Sequence, residues 1–282
     1  MEQAIRQNLT MFGHSLIEHG LECYNFGQLH KSIQYLEKAL FVHKQTGCRS
    51  GEAWSHCRLG RSLFIVCQYD KAVEHYQKAL DIRGITGHER QRLEGRVYNN
   101  LGEVHQLRGN HDEACRYYKK ALGISEEIKN EIEQAVSYNN LGVINHNCLG
   151  KLDEALAYHM KALEIRKRLR YRNAEGTSYN NIGGVYEARG QYEKALEYYK
   201  KSLAVSKEIK DRRLEGNNFY FIGKVYRVLG QNKKALEHQE RALEIKSEIG
   251  EFKAGVVAEL GILHMAHGDY EKALGHLNEA IK

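Results

Sequence analysis

Apolar residues recur along the chain with a helical period. Tyr179, Ile182 and Tyr186 stand at i, i+3 and i+7, and Ala195, Leu196, Tyr199 and Leu203 resume the pattern after a break at Gly190. Such spacing gathers apolar side chains on one face of an α-helix. It predicts two amphipathic helices joined by a glycine turn. The motif returns along the chain, aligned on Gly20, Gly60, Gly102, Gly142, Gly183, Gly223 and Gly261 at intervals of 38–42 residues. Leu59, Leu101, Leu141, Ile182, Ile222 and Leu260 precede the glycine, and His19 departs from the rule. Small residues follow in register, first Ser32, Ala72, Ala114, Ala155, Ala195, Ala235 and Ala273, then Ala39, Ala79, Ala121, Ala162, Ser202, Ala242 and Ala280. Without a large side chain at these places, two helices approach closely. Gly109, Gly150, Gly190, Gly230 and Gly268 mark the turn within each unit. Asp112-Glu113 and Asp153-Glu154 open second helices, where negative charge suits the positive helix end. One such pair cannot bury its apolar face alone, so the units must stack as a solenoid.

Two irregularities stand out. The fourth unit carries one extra residue between Gly142 and Gly150, to be absorbed as a π-bulge or as a longer turn. The seventh unit stops at Lys282 without a polar capping helix, which reads as a fragment of a longer protein. An uncapped end would leave Leu260, Ile262, Leu277 and Ala280 near an apolar face open to self-association.

Composition agrees with helix throughout. The 282 residues include no proline, where about 5 % is usual. Apolar residues make up 42 % and charged residues 28 %, which suits a folded chain. A net charge of +6 is only mildly basic. No apolar run is long enough for a membrane helix, and Met1 to Leu16 lacks the apolar core of a signal peptide. The six cysteines form no CxxC pair and read as apolar helix-face residues in a reducing cytoplasm. The sequon at Asn8-Leu9-Thr10 then carries no meaning.

Tyr98-Asn99-Asn100-Leu101-Gly102, with Ala114, Tyr118 and Ala121 and their counterparts, resembles the tetratricopeptide repeat (TPR) family. The usual repeat has about 34 residues and often ends in proline; here the period is about 40 and the proline is missing. Long repeats of this kind are similar to the Pins/LGN scaffolds of cell polarity and, more loosely, to kinesin light chain. The resemblance implies an all-α, right-handed superhelical α-solenoid of seven antiparallel helix pairs, a single domain over 1–282. It also implies a non-catalytic cytoplasmic adaptor, in polarity, spindle orientation or signalling, whose concave groove binds a peptide segment of a partner.

Asn99-Asn100, Asn139-Asn140 and Asn180-Asn181 offer a candidate lining for that groove. Tyr98 and Leu101 define the face packed inside the unit, and at about 100° per residue the two asparagines lie roughly 130° to either side. Asn is a poor helix former, so its recurrence needs a reason. A ladder of carboxamides can donate to and accept from an extended peptide backbone; the alternative is that the pairs merely bond between repeats. Gly184 after the third pair would leave the groove wide, Tyr220 and Phe221 break the ladder in the sixth unit, and Asn217-Asn218 is shifted and should face elsewhere. Arg58, Arg61, Arg96, Lys224 and Arg227 flank the strip against Glu103, Glu187 and Glu259, and would suit a partner with acidic residues or serve as solvated faces. Trp54 reads as a peptide anchor or a packing residue. Arg166-Lys167-Arg168, Arg170 and Arg172 form the densest basic run, a localisation or nucleic-acid patch or simply cations at a helix end.

Signs of catalysis are missing from the sequence. His264-x-x-His267 and His105 near His111 lack acidic or cysteine companions at ligand spacing, so no metal is expected. No phosphate-binding glycine loop, nucleophile elbow or HExxH motif occurs. No cofactor or small-molecule substrate is therefore expected. The repeated polar pair is neutral and not basic, which argues against an RNA-reading array. A rival reading is an intramolecular regulatory domain, as in nucleotide-binding sensor proteins with such repeats.

Overall fold

The computed structural model describes residues 2–251 and 253–281, with the side chains of the last helix through residue 278. The described residues form fourteen α-helices and no strand. The helices come in pairs: α1(Glu2–Asn25) and α2(Leu29–Thr46), α3(Arg49–Ile65) and α4(Tyr69–Asp81), α5(Gly87–Leu107) and α6(His111–Glu127), α7(Glu131–Asn147) and α8(Leu152–Arg168). The series continues with α9(Arg172–Ala188) and α10(Tyr192–Glu208), α11(Arg212–Val228) and α12(Asn232–Glu248), α13(Ala254–His267) and α14(Tyr270–Ile281). Contacts gather the chain into two compact units, Met1–Ile144 and Asn145–Lys282. Within the first, α2 packs on α3 and α4 on α5, while the first helices α1, α3 and α5 lie side by side. The second repeats the scheme, with α9, α11 and α13 as the adjacent first helices. This is an all-α solenoid of consecutive helix pairs.

The recurrent glycine earns its place by what it admits. A Cβ at Gly60, Gly102 or Gly183 would come 2.6, 2.5 or 2.6 Å from the ring of Tyr76, Tyr118 or Tyr199 on the second helix. Each of these tyrosine side chains is fully buried in the notch. Leu36, Gln239 and Leu277 fill the same place opposite Gly20, Gly223 and Gly261. Gln239 donates to the Tyr220 carbonyl at 3.1 Å. In the fourth pair the corresponding residue is His159, wholly buried, with neither ring nitrogen hydrogen-bonded. Burial, with His146 and Arg166 adding to it, pushes its pKa down to about 3.

The glycine turns adopt positive φ as expected, from 64° at Gly150 to 83° at Gly268. The second pair closes on Cys67 instead, held at φ 60°. A Cβ in that region costs about 1 kcal/mol or more. Cys67→Gly is therefore expected to raise stability by about 1 kcal/mol, read as a higher urea midpoint, whereas Gly109→Ala should lower it by a similar amount. An unchanged midpoint for both would show that these turns carry no strain.

The extra residue of the fourth pair sits in the turn. Helix α7 ends five residues after Gly142, as α5 does after Gly102. The Lys151 amide then reaches back to the Asn145 carbonyl at 2.8 Å, one residue further than the Gln191 to Tyr186 bond of the fifth pair. No π-bulge occurs among the described residues.

Two expectations need correction. Only Cys57 among the cysteines is buried; Cys48, Cys67 and Cys148 lie in turns, and all six are free thiols. At the last pair Leu260 belongs to the core, and Leu277 is half-buried against Gly261. Ile262, Met265, Tyr270 and Leu274 are the exposed apolar residues there, and the Ala280 side chain lies outside the described residues.

Candidate functional site

First helices dictate the chemistry of the face they share. In the first unit α1, α3 and α5, with Val136 of α7, enclose a cleft of about 370 Å³. Seven of the residues singled out from the sequence line it: Arg58, Arg61, Arg96, Asn99, Asn100, Trp54 and Glu103. Tyr24 completes its polar and aromatic wall.

The asparagines occupy the directions that helical geometry predicts, and most meet protein there. Asn99 faces the following repeat and exchanges two 3.1 Å hydrogen bonds with Ser137. Asn100 faces the preceding repeat, where its carboxamide makes a weak 3.9 Å contact with the Cys57 sulfur. Both are buried. Burial also pushes the Cys57 thiol up to about 11. Asn139 and Asn140 are half-buried, and the buried Nδ2 of Asn140 makes no hydrogen bond. In the second unit Asn180 donates to Asn218 at 2.9 Å, and Asn181 is half-buried. Asn218 thus faces the ladder after all, while Asn217 accepts from Lys246 at 2.7 Å. The space beside Gly184 is not open, because the His146 ring stands 3.3 Å from where a Cβ would be. Sequence reasoning missed the acceptors, although a signal exists: Ser55, Ser137, Ser178 and Asn218 each stand five residues before a central glycine and are fully buried.

Charge on the strip is largely neutralised between neighbouring repeats. Arg61 pairs with Glu103 and donates to the Tyr24 hydroxyl at 3.3 Å. Burial opposes the Arg61 charge, but Glu103 and Tyr24 more than offset it and its pKa is raised. Arg96 pairs with Glu133, which the sequence reading did not single out. In the second unit Lys224 meets Glu187 at 3.0 Å and Arg227 meets Glu259 at 2.6 Å. Arg58 differs. Its guanidinium lies over the Trp54 ring at 5.7 Å and has no carboxylate at salt-bridge distance among the described residues. Burial holds its pKa below the ordinary value, with Arg96 adding to it and Cys57, Glu18 and Glu133 opposing, so this cation is partly desolvated and lacks a direct ion-pair partner.

Two ends of the basic run are structural. Arg166 is buried and donates to the Ala174 carbonyl at 3.0 Å and to the Ser178 hydroxyl at 2.6 Å. Arg172 pairs with Glu175 at 2.8 Å and with Glu208. No helix of the described residues is long and apolar enough to cross a membrane.

No curated protein matches the chain. Among solved structures, BtubC (BKLC) from P. vanneervenii superposes with a TM-score of 0.63 at 23 % identity, over 80 % of this chain and 91 % of that one. A Signal Transduction ATPase with Numerous Domains (STAND) protein with a tetratricopeptide repeat sensor, from Pyrococcus horikoshii, gives 0.73 at 19 % identity, over 99 % of this chain and 43 % of that one. A Rap protein complexed with Competence and Sporulation Factor gives 0.72 at 16 % identity, over 96 % and 76 %. At such identities the likeness is one of fold. The tetratricopeptide repeat family model, however, matches residues 18–84, 93–168 and 174–248, most of the chain, and the protein belongs to the tetratricopeptide repeat family.

Proposed function

We propose that the chain is a non-catalytic interaction scaffold that seats a carboxylate-bearing peptide segment of a partner protein in the Trp54–Arg58 cleft. The observation that carries this reading is Arg58 itself, a half-buried guanidinium stacked on an aromatic ring beside a cleft of about 370 Å³, with no carboxylate of its own. A peptide carboxylate would supply the missing charge through a fork-shaped pair of hydrogen bonds. Arg61, Arg96, Asn99 and Asn100 shape the walls, and Asn139 and Asn140 extend the strip within the same unit. In the second unit Asn180, Asn181, Lys224 and Arg227 mark the equivalent strip. Asn99 and Asn180 serve chiefly to hold adjacent repeats in register, leaving the peptide to the residues around them. In keeping with the resemblance to Pins/LGN scaffolds, the adaptor role falls in polarity, spindle orientation or signalling.

Peptide selection on the immobilised chain tests the proposal. Captured peptides should be enriched in acidic residues or free carboxyl termini near an apolar side chain. Arg58→Gln should weaken their binding roughly tenfold or more with an unchanged melting temperature. Capture indifferent to both Arg58→Gln and Trp54→Ala would overturn it. A second reading, a regulatory segment clasping another part of its own chain, draws on the STAND protein, of whose length this chain spans 43 %. The cleft chemistry would be the same, with the carboxylate supplied in cis.

A further inference from the structure

The end of the first helix pair holds a cluster unrelated to the cleft. His14 projects from α1, His43 from the last turn of α2, and Cys48 stands just before α3. The left-handed Gly47, at φ 69°, reverses the chain between the last two, and the Cys48 amide donates to the His43 carbonyl at 3.0 Å. One ligand atom from each of the three side chains lies within 4.8 Å of the others. The two imidazole centroids are 4.9 Å apart.

His43 is oriented as a ligand would be. Its ring is wholly buried, and its Nδ1 lies 3.1 Å from the Ser55 hydroxyl. Ser55 spends its own proton on the Gly51 carbonyl at 2.7 Å, so its oxygen accepts from Nδ1–H. In that tautomer the Nε2 lone pair is bare; Nε2 makes no hydrogen bond, although the Thr10 carbonyl of α1 also acts on the ring and favours its protonated form. A buried imidazole nitrogen without a partner is costly unless something binds it. Two glycines clasp the ring: a Cβ at Gly13 would stand 2.6 Å from Nε2, and one at Gly51 would stand 2.4 Å from Cδ2. A Cβ at Gly51 would also stand 2.5 Å from Nε2, so glycine at both positions keeps side chains out of the space beside that atom. Cys48 precedes α3 without capping it by a side-chain hydrogen bond.

We infer that His43, His14 and Cys48 bind a zinc(II) ion, His43 through Nε2 and Cys48 through its thiolate, with Ser55 as the group that orients His43. Two imidazoles and one thiolate are a borderline-soft donor set that suits zinc, and three protein ligands leave a fourth position for water. Bonds of about 2.0–2.3 Å place tetrahedral ligand atoms about 3.5 Å apart. A closure of roughly 1 Å therefore assembles the site, and His14, which is exposed, is free to supply it. The same exposure provides the entry path. Binding replaces the Cys48 S–H bond by a sulfur–zinc bond and releases that proton to solvent; no electron is transferred. The sequence search passed over this site because its ligands come from three segments and match no short zinc motif.

Cobalt(II), a spectroscopic stand-in for zinc, tests the inference on the full chain freed of metal by a chelator. The expected result is one equivalent bound, with a near-ultraviolet thiolate-to-cobalt band that zinc(II) abolishes by displacement. Cys48→Ser should remove the band although five other cysteines remain, and His14→Gln should weaken zinc binding at least tenfold. Both positions are accessible, so circular dichroism should show unchanged helix content. Ser55→Ala should leave the band in place and weaken affinity about 10–100-fold, as loss of an orienting partner does. A band that survives Cys48→Ser, or zinc binding indifferent to both His14→Gln and Cys48→Ser, would overturn the inference, as would the absence of any stoichiometric binding.

Discussion

Gly183→Ala is expected to lower the stability of the second unit by about 3 kcal/mol, at the upper end of what overpacking a buried site costs. The added methyl would stand 2.6 Å from Cδ1 and 2.7 Å from Cε1 of Tyr199. That ring has nowhere to go. It stacks on Phe221 at 5.4 Å, and its hydroxyl donates to Glu187 at 2.7 Å. Relief would require either that the ring abandon both contacts or that α9 and α10 separate. Gly123→Ala in α6 is the opposing control, because a Cβ there meets nothing within 4 Å. It should gain about 0.5–1 kcal/mol from helix propensity alone. Urea unfolding of the two variants beside the parent reads both effects. If Gly183→Ala proves as benign as Gly123→Ala, the notch is not the reason for glycine at that position.

Acidification from pH 7.5 to 5 should destabilise the protein by about 2 kcal/mol through each of two buried histidines, His56 and His159. His56 and His159 have their pKa values pushed down to about 4 and about 3, chiefly by burial. His75, Lys44 and Lys78 add to the effect at His56, and His146 and Arg166 at His159. In the unfolded chain each histidine titrates near 6.5. Below that value the unfolded state binds a proton that the folded state refuses, so stability falls as pH falls. For His56 the loss grows from about pH 6.5 to about 4, and for His159 it continues to about 3. His159→Leu should remove about 2 kcal/mol of the loss between pH 7.5 and 5 and raise stability at pH 5, since leucine fills the same notch at position 36. Urea midpoints at the two pH values decide the matter: identical slopes for the parent and for His159→Leu would exclude the mechanism.

The fold was legible because its rules are local. Tyr179, Ile182 and Tyr186 mark a helix face by spacing alone, and Gly190 ends it for reasons of backbone conformation. Directions were legible too: Asn99 and Asn100 point to opposite neighbours, as their angular positions require. What those side chains meet was not. Ser137, Asn218 and Glu133 lie in adjacent repeats, and helical periodicity says nothing about which residue of the next helix stands opposite. For the same reason the charged strip read as available, although four of its five named cations have carboxylates across a repeat boundary. The cluster at His43 was invisible because a turn, not a motif, brings Cys48 to it.

The cross-repeat ion pairs bear on how such a chain changes its copy number. Arg172 binds Glu175 and Glu208, and Arg212 binds Glu215 and Glu248, the same arrangement moved forty residues along. Excising residues 172–211 would bring Arg212 to the place of Arg172 with both of its acceptors still attached. The Arg212 pairs would survive at the seam, whereas Lys224 would lose Glu187 and Asp153 would lose Arg189. Unequal recombination by one module therefore carries the Arg–Glu junction forward intact, because each module brings its own half of it, and leaves only the pairs that do not repeat to be rebuilt.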